Sequence, residues 1–184
     1  MRAFTALLIV ALGLPALGKA PVPEVLPGKD YEDVLVRIGN IYVSGQPSEA
    51  GLAALRDKGV MTVVNLRTAE EMAGKTGPGF DEAETARALG MAYVSLPAGG
   101  DANPYSPVTL EKFAAIADAA EGGVLLHCKS ATRATHLWVA YLVKHKGLSM
   151  EQALAQGRLM NFGQLPLEGF MGEGFRYTYE VRPE

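Results

Sequence analysis

The sequence predicts an α/β fold, a three-layer sandwich whose mainly parallel central sheet is flanked by helices. Three observations carry that expectation. The β-branched apolar run "VMTVVNL" (60–66) reads as a strand buried on both faces, and "VLLHC" (124–128) as a further strand. Segments with helical spacing separate such runs, as crossover connections between parallel strands require. The stretch from about Arg133 to Lys146 is apolar almost all round, the pattern of a helix covered on every side.

Each element follows in order. Residues 1–20, "MRAFTALLIVALGLPALGKA", carry an early arginine, an apolar stretch from Ala3 to Leu14, then Pro15 and small residues. That is the layout of a secretory signal peptide, with cleavage expected after Gly18 or Ala20. The apolar run is shorter than the ~20 residues that a membrane span needs, so no stable span is expected after cleavage. Residues 21–33 are rich in proline and charge and read as a linker or arm. One domain is expected over 34–184. "VLVRIG" and "IYVSG" suggest a hairpin about Gly39-Asn40. Ser48 can cap a helix to about Lys58, with Leu52 and Leu55 inward. "RTAEEMAGKTGPG" (67–79) reads as a polar loop, followed by a helix near 80–89 and the strand "MAYVSL" (91–96). After the loop "PAGGDANPYSP", Thr109 can cap a helix whose Leu110, Phe113, Ala114 and Ala117 share one face. Ser149 and Gln152 form a capping box for a further helix to about Asn161. The tail from Phe162 reads mostly as loop.

Composition narrows the function. The chain has 184 residues, 48% hydrophobic and 20% charged, which fits one ordinary globular domain. Without residues 1–20, which hold Arg2 and Lys19 and no acids, 15 basic side chains face 20 acidic ones, a formal charge of −5. No basic stripe or aromatic-basic interleaving appears, so no nucleic-acid partner is expected. The three histidines lack ligand spacing, so no metal and no cofactor are expected. The leader points to a periplasmic or secreted bacterial protein. Cys128 is the sole cysteine and cannot form an internal disulfide. In an oxidising compartment such a thiol is either buried or used.

The surroundings of Cys128 favour use. "HCKSATRAT" (127–135) lies at a strand-to-helix turn, where backbone N–H groups and the helix dipole attract anions. A cysteine there is stabilised as thiolate, its nucleophilic form. Arg133, at the far end of the loop, can offer a planar fork to two oxygens of a tetrahedral anion. Open α/β sheets bind ligands at the carboxyl ends of their strands. Asn65 with Arg67, Asp101, and the Cys128 loop all fall at such ends. The combination suits a phosphate or sulfate ester.

"HC…R" between a strand and an apolar helix resembles the signature of the protein-tyrosine and dual-specificity phosphatase superfamily. "IYVSGQPSEAGLAALRDKGVMTVVNLR" (41–67) is similar to the opening of its bacterial phosphatase-like branch, related to β-lactamase hydrolase-like proteins. The resemblance covers most of 38–160 and implies a tyrosine-phosphatase-like domain in 34–184. It implies a metal-independent hydrolysis of a phosphate monoester through a phosphocysteine. Cys128 would be the nucleophile, Arg133 the phosphate clamp and Asp101 the general acid. Lys129, Ser130, Ala131 and Thr132 would give loop N–H groups, and Arg67 is a further candidate for substrate binding. The substrate would be a phosphoprotein, a lipid phosphate or a sugar phosphate. Asp81 and Asp118 fall within predicted helices, which leaves Asp101 as the acid.

This sequence departs from the pattern at three points. Four residues rather than five separate Cys128 from Arg133, as in the β-lactamase hydrolase-like branch. Ala131 stands where glycine is common; a left-handed backbone there would cost roughly 1–2 kcal/mol. Ala134 replaces the usual hydroxyl partner of the thiolate, so Thr135 or Ser130 would have to substitute. Two other readings of the same residues are therefore kept. A rhodanese-like sulfurtransferase would carry sulfur as a Cys128 persulfide, with no need for Asp101. A non-catalytic anion-binding module would keep the cradle without the chemistry. Plainer roles also exist: His127 orienting the loop, Arg67 pairing with Glu70 or Glu71, and Asp101 shaping a turn before Asn103-Pro104.

Overall fold

The computed structural model of the chain describes residues 21–163 and 167–174. The expected leader over 1–20 lies outside the described residues, as do 164–166 and 175–184 of the tail. Six strands are present: β1 (Glu24–Leu26), β2 (Leu35–Ile38), β3 (Ile41–Ser44), β4 (Val60–Asn65), β5 (Ala92–Ser95) and β6 (Gly123–His127). They form one sheet in the order β1-β2-β3-β6-β4-β5. The four strands β3, β6, β4 and β5 run parallel, while β1 and β2 add antiparallel at one edge. The expected hairpin is there, with Ile38 opposite Ile41 across Gly39-Asn40.

Helices cover both faces, so the expected three-layer architecture is found. They are α1 (Glu49–Asp57), α2 (Ala69–Ala73), α3 (Glu82–Ala88), α4 (Pro107–Ala119), α5 (Thr132–Lys146), α6 (Met150–Gly157) and α7 (Leu167–Met171). Because side chains alternate along a strand, adjacent residues enter different layers. Val64 and Leu126 pack with Phe113 of α4, Leu137 of α5 and Phe170 of α7. Their neighbours Val63 and Leu125 pack on the other face with Leu52 and Leu55 of α1 and Ala86 of α3. The continuous apolar runs of β4 and β6 are explained by this double burial.

Four expectations need correction. The arm over 21–33 includes β1, which pairs with β2 through Glu24–Arg37, Val25–Val36 and Leu26–Leu35. The polar loop after β4 contains α2, because Thr68 and Glu71 form a reciprocal capping box. Ser106, not Thr109, caps α4: its hydroxyl accepts from the Thr109 N–H, and Pro107 takes the first turn, where no donor is missed. The tail folds into α7, burying Leu167 and Phe170 against the sheet layer.

The carboxyl edge of the sheet sets up the site. Ser44, His127, Asn65 and Ser95 lie side by side as the last residues of β3, β6, β4 and β5. Gly45 follows β3 at a point too crowded for any side chain; a Cβ there would stand 1.9 Å from the Glu32 carbonyl oxygen and 2.8 Å from that of Lys129. The chain thus passes directly beneath the loop that begins at Cys128.

Candidate active site

The loop between β6 and α5 has all its carbonyls turned toward protein donors. The Lys129 carbonyl accepts from the Gln46 N–H at 2.8 Å. That of Ser130 accepts from Asn161 Nδ2 at 2.7 Å, and that of Ala131 from the Thr135 N–H and hydroxyl at 2.8 and 2.9 Å. The Thr132 carbonyl meets His136 Nδ1 at 2.8 Å. Among the described residues, none of the N–H groups of Lys129, Ser130, Ala131, Thr132 and Arg133 has a protein acceptor. Carbonyls point outward and donors are left together at the start of α5, which is the construction of an anion cradle.

The turn requires a left-handed residue at Ala131, with φ 62° and ψ −16°. Alanine therefore bears the strain foreseen for this position, roughly 1–2 kcal/mol. The hydroxyls expected near the thiol are engaged elsewhere. Thr135 bonds the Ala131 carbonyl, and Ser130 Oγ faces Thr132 Oγ1 at 3.2 Å. The Lys129 ammonium leaves the cradle for Glu32, 3.6 Å away.

Arg133 closes the loop, and its guanidinium is aligned by groups the sequence reading did not include. Glu71 takes it in a two-point pair, Oε1 accepting from Nη2 at 2.6 Å and Oε2 from Nη1 at 2.8 Å. The carbonyls of Ala98 and Leu66 also accept from Nη1, at 2.8 and 3.3 Å. A guanidinium has five N–H donors. These contacts engage both donors of Nη1 and one of Nη2. Nε and the second donor of Nη2, which form one edge of the fork, have no acceptor among the described residues. That edge matches two oxygens of a phosphoryl group. Gly99 (φ 142°) makes room for the arrangement, since a Cβ there would lie 3.2 Å from Arg133 Nη1.

Asp101 and Arg133 share the wall of one pocket of about 350 Å³, together with Glu70, Glu71 and the Gly99-Gly100 turn. Cys128 is 1% exposed and is not part of that wall. A cavity of about 420 Å³ near Ile41, Trp138 and Lys146 holds none of the expected site residues. The rival acids lie apart. Asp81 caps α3 rather than standing inside it, and Asp118 pairs with Lys146.

Arg67 departs from the role expected of it. It is 1% exposed, and its guanidinium donates to Gln46 Oε1 at 2.6 Å and to the carbonyls of Glu71 and Thr76 at 3.0 and 2.7 Å. It fastens the segment carrying Glu71 and does not line the Arg133 pocket. Glu82 is likewise a residue that the sequence reading left on a helix. Its side chain is fully buried behind the loop, and its oxygens accept from Gln46 Nε2 at 3.0 Å, Asn65 Nδ2 at 2.9 Å and the Tyr93 hydroxyl at 3.2 Å. Glu71 could have been found from "TAEE", since threonine followed three residues later by glutamate signals a helix start. Nothing in the sequence separates Glu82 from the exposed acids around it.

Comparison with known proteins bears on this geometry. The model of the phosphatase-like domain of beta-lactamase hydrolase-like proteins matches residues 33–143, more than half of the chain. The chain belongs to this family. A beta-lactamase hydrolase-like protein of Xylella fastidiosa is 29% identical over 122 residues. That match takes in 66% of this chain but only 28% of the relative, so the chain spans little more than a quarter of that protein's length. Among solved structures, a DUF442 protein of Shewanella putrefaciens is 25% identical with a TM-score of 0.57, over 74% of this chain and 86% of that one. TpbA of P. aeruginosa in complex with pTyr, 21% identical with a TM-score of 0.51, matches 72% of this chain and 80% of its own and shares the fold. The expected kinship with beta-lactamase hydrolase-like proteins is thus borne out, and the fold is one shared with tyrosine and dual-specificity phosphatases.

Proposed function

We propose that this phosphatase-like domain hydrolyses a phosphate monoester through a phosphocysteine on Cys128, without a metal. The observation that carries the reading is the cradle itself: unpartnered N–H groups at 129–133 beside the open edge of Arg133. Together they can hold the three non-bridging oxygens of a phosphoryl group and stabilise the charge that gathers there in the transition state. The Cys128 thiolate attacks phosphorus, forming an S–P bond as the bond to the ester oxygen breaks. Asp101 gives its proton to the departing oxygen, so the alcohol leaves neutral. The resulting Asp101 carboxylate then takes a proton from water, whose oxygen attacks phosphorus. The S–P bond breaks, inorganic phosphate is released and the thiolate is regenerated. The match over 33–143 favours this over sulfur transfer.

The leader expected over 1–20 supports a periplasmic or secreted location. A compartment without ATP favours lipid, sugar or other envelope phosphate esters as substrates, with a phosphoprotein as a further class. The test is hydrolysis of p-nitrophenyl phosphate by the reduced protein, beside Cys128→Ser and Asp101→Asn. Turnover is expected in the parent chain, none in the serine variant, and a fall of about 10²-fold with asparagine, the usual scale for a lost general acid.

A second reading is a cradle that binds anions without turning them over. Its support is the absence of a hydroxyl at Ala134 and the engagement of Thr135 with the Ala131 carbonyl. Saturable binding of inorganic phosphate with no hydrolysis, under reducing and mildly acidic conditions, would establish it and displace the catalytic reading.

A further inference from the structure

Behind the cradle, on the α1 and α3 face of the sheet, lies a set of buried polar side chains with Glu82 at its centre. Glu82 is 2% exposed, and its carboxylate receives donors from three directions: Gln46 after β3, Asn65 at the end of β4 and Tyr93 in β5. The ring of His127, at the end of β6, adds a fourth contact, with Nε2 3.2 Å from Glu82 Oε1 but off the N–H direction. Side chains from β4, β5 and β6 and from the turn after β3 therefore meet at one carboxylate. A buried carboxylate is costly unless it is fully hydrogen-bonded, and its removal leaves several donors without an acceptor. Solubility and surface charge do not account for such a group.

Three routes lead from this carboxylate to the cradle. The first is through His127, whose Nδ1 lies 3.3 Å from the carbonyl oxygen of Cys128. The second runs through Gln46. Its side chain donates to Glu82, while its backbone N–H holds the Lys129 carbonyl away from the anion seat at 2.8 Å. The third uses the other end of the same amide: Gln46 Oε1 accepts from Arg67, and Arg67 holds the Glu71 carbonyl, from the residue whose carboxylate aligns Arg133. All three reach a group that shapes the cradle, and none touches the space for the ligand.

We propose that Glu82 is a positioning residue of this site, holding Gln46 and His127 so that the loop N–H groups and Arg133 converge on one anion. The proposal rests on the phosphatase reading only for its effect on turnover; the shape of the cradle is tested separately below. Charged and titratable neighbours are His127, Tyr93, Asp81 beside Tyr93 and, through Gln46, Arg67 around Glu82, with Arg133 and Tyr105 near the thiol. Burial pushes the His127 imidazole below its ordinary range, with Glu82 opposing. The ring is therefore a neutral spacer between the carboxylate and Cys128 at neutral pH.

Glu82→Gln keeps the size of the side chain but places an NH₂ group among donors. Gln46 or Asn65 must then turn away, and the cradle loosens. N–H groups aimed at a thiolate favour it over the thiol, so loosening such a cradle makes ionisation harder. Loss of a nearby negative charge acts in the opposite sense, and a purely structural role moves nothing. The sign thus separates the explanations.

Because Cys128 is the only cysteine, alkylation by iodoacetamide as a function of pH reads its ionisation without any need for turnover. In the full chain, Glu82→Gln is expected to move that midpoint upward and to weaken the protection that inorganic phosphate gives against alkylation. With p-nitrophenyl phosphate, kcat/KM is expected to fall about tenfold, within the range caused by a small misplacement of reacting groups. Tyr93→Phe removes one donor and keeps the ring, so it should shift the midpoint the same way by less, and it serves if the glutamine variant does not fold. A folded variant with the midpoint unchanged or lowered overturns the proposal. An upward shift in a protein whose parent hydrolyses no phosphate ester upholds the positioning role and overturns the phosphatase reading alone.

Discussion

Ala131 concentrates the tension between folding and function at one residue. Its left-handed backbone is needed to turn the loop carbonyls outward, yet its Cβ makes that conformation unfavourable. Ala131→Gly removes the clash while adding freedom to the unfolded chain, which offsets part of the gain. The net expectation is a stabilisation of up to about 1 kcal/mol in denaturant unfolding, with no loss of phosphate binding. Destabilisation would show that the methyl group contributes packing that outweighs the strain. Glu71 and Arg133 supply the second residue-scale expectation. Glu71→Gln keeps the shape but weakens the two-point pair, so kcat/KM for an aryl phosphate should fall about tenfold as the guanidinium loses its orientation. The placement of Cys128 and Arg133 on one strand-to-helix loop was legible, because an apolar strand and an apolar helix bracket it in the sequence. Arg67 misled for a physical reason: an arginine at a strand end looks the same in sequence whether it holds a ligand or the protein's own carbonyls.

Among the elements, α2 is short but connects the site to the rest of the fold. Its capping box engages Glu71 Oε2 with the Thr68 N–H at 2.9 Å while the same carboxylate grips Arg133. Burial alone would raise the Glu71 carboxyl. The hydrogen bonds from Arg133 and Thr68 outweigh it and hold the group below its ordinary value of 4.5. A carboxyl depressed in the folded state stabilises the fold above its unfolded value and loses that contribution as the pH falls through its folded value. The melting temperature of the parent chain should therefore exceed that of Glu71→Gln above about pH 5, with the gap closing on acidification. A gap independent of pH would show that the pair contributes by shape alone. This helix escaped the sequence reading because its window is polar and its residues bury no apolar face. Strands β2, β3, β4 and β6 and helices α1, α4 and α5 were legible because each buries several apolar residues, and α6 because of its capping box at Ser149 and Gln152. The edge strand β1, with two of its three residues exposed, carries no such pattern.

For the whole molecule, the sheet is a partition between two apolar layers, with the site at its carboxyl edge. Phe113 is fully buried in the layer that also holds Cys128 and Ala134. Phe113→Ala should cost about 3–5 kcal/mol, the scale of a large aromatic removed from a packed core, and would confirm that α4 and α5 share one layer. A cost below 1 kcal/mol would contradict that packing. The mainly parallel sheet was readable because strands alternate with helices along the sequence. The polar assembly around Glu82 was not, because Gln46, Asn65, Glu82 and Tyr93 come from four separate segments and meet only once the strands align.

The central claim is that Cys128 takes the phosphoryl group. The most direct measurement mixes the reduced protein with a radiolabelled aryl phosphate, quenches in acid within the first turnover and maps the label by peptide. The account predicts label on the peptide containing Cys128, absent in Cys128→Ser and more slowly discharged in Asp101→Asn. Phosphate release with no label on that peptide, at any quench time and also in Asp101→Asn, would contradict it.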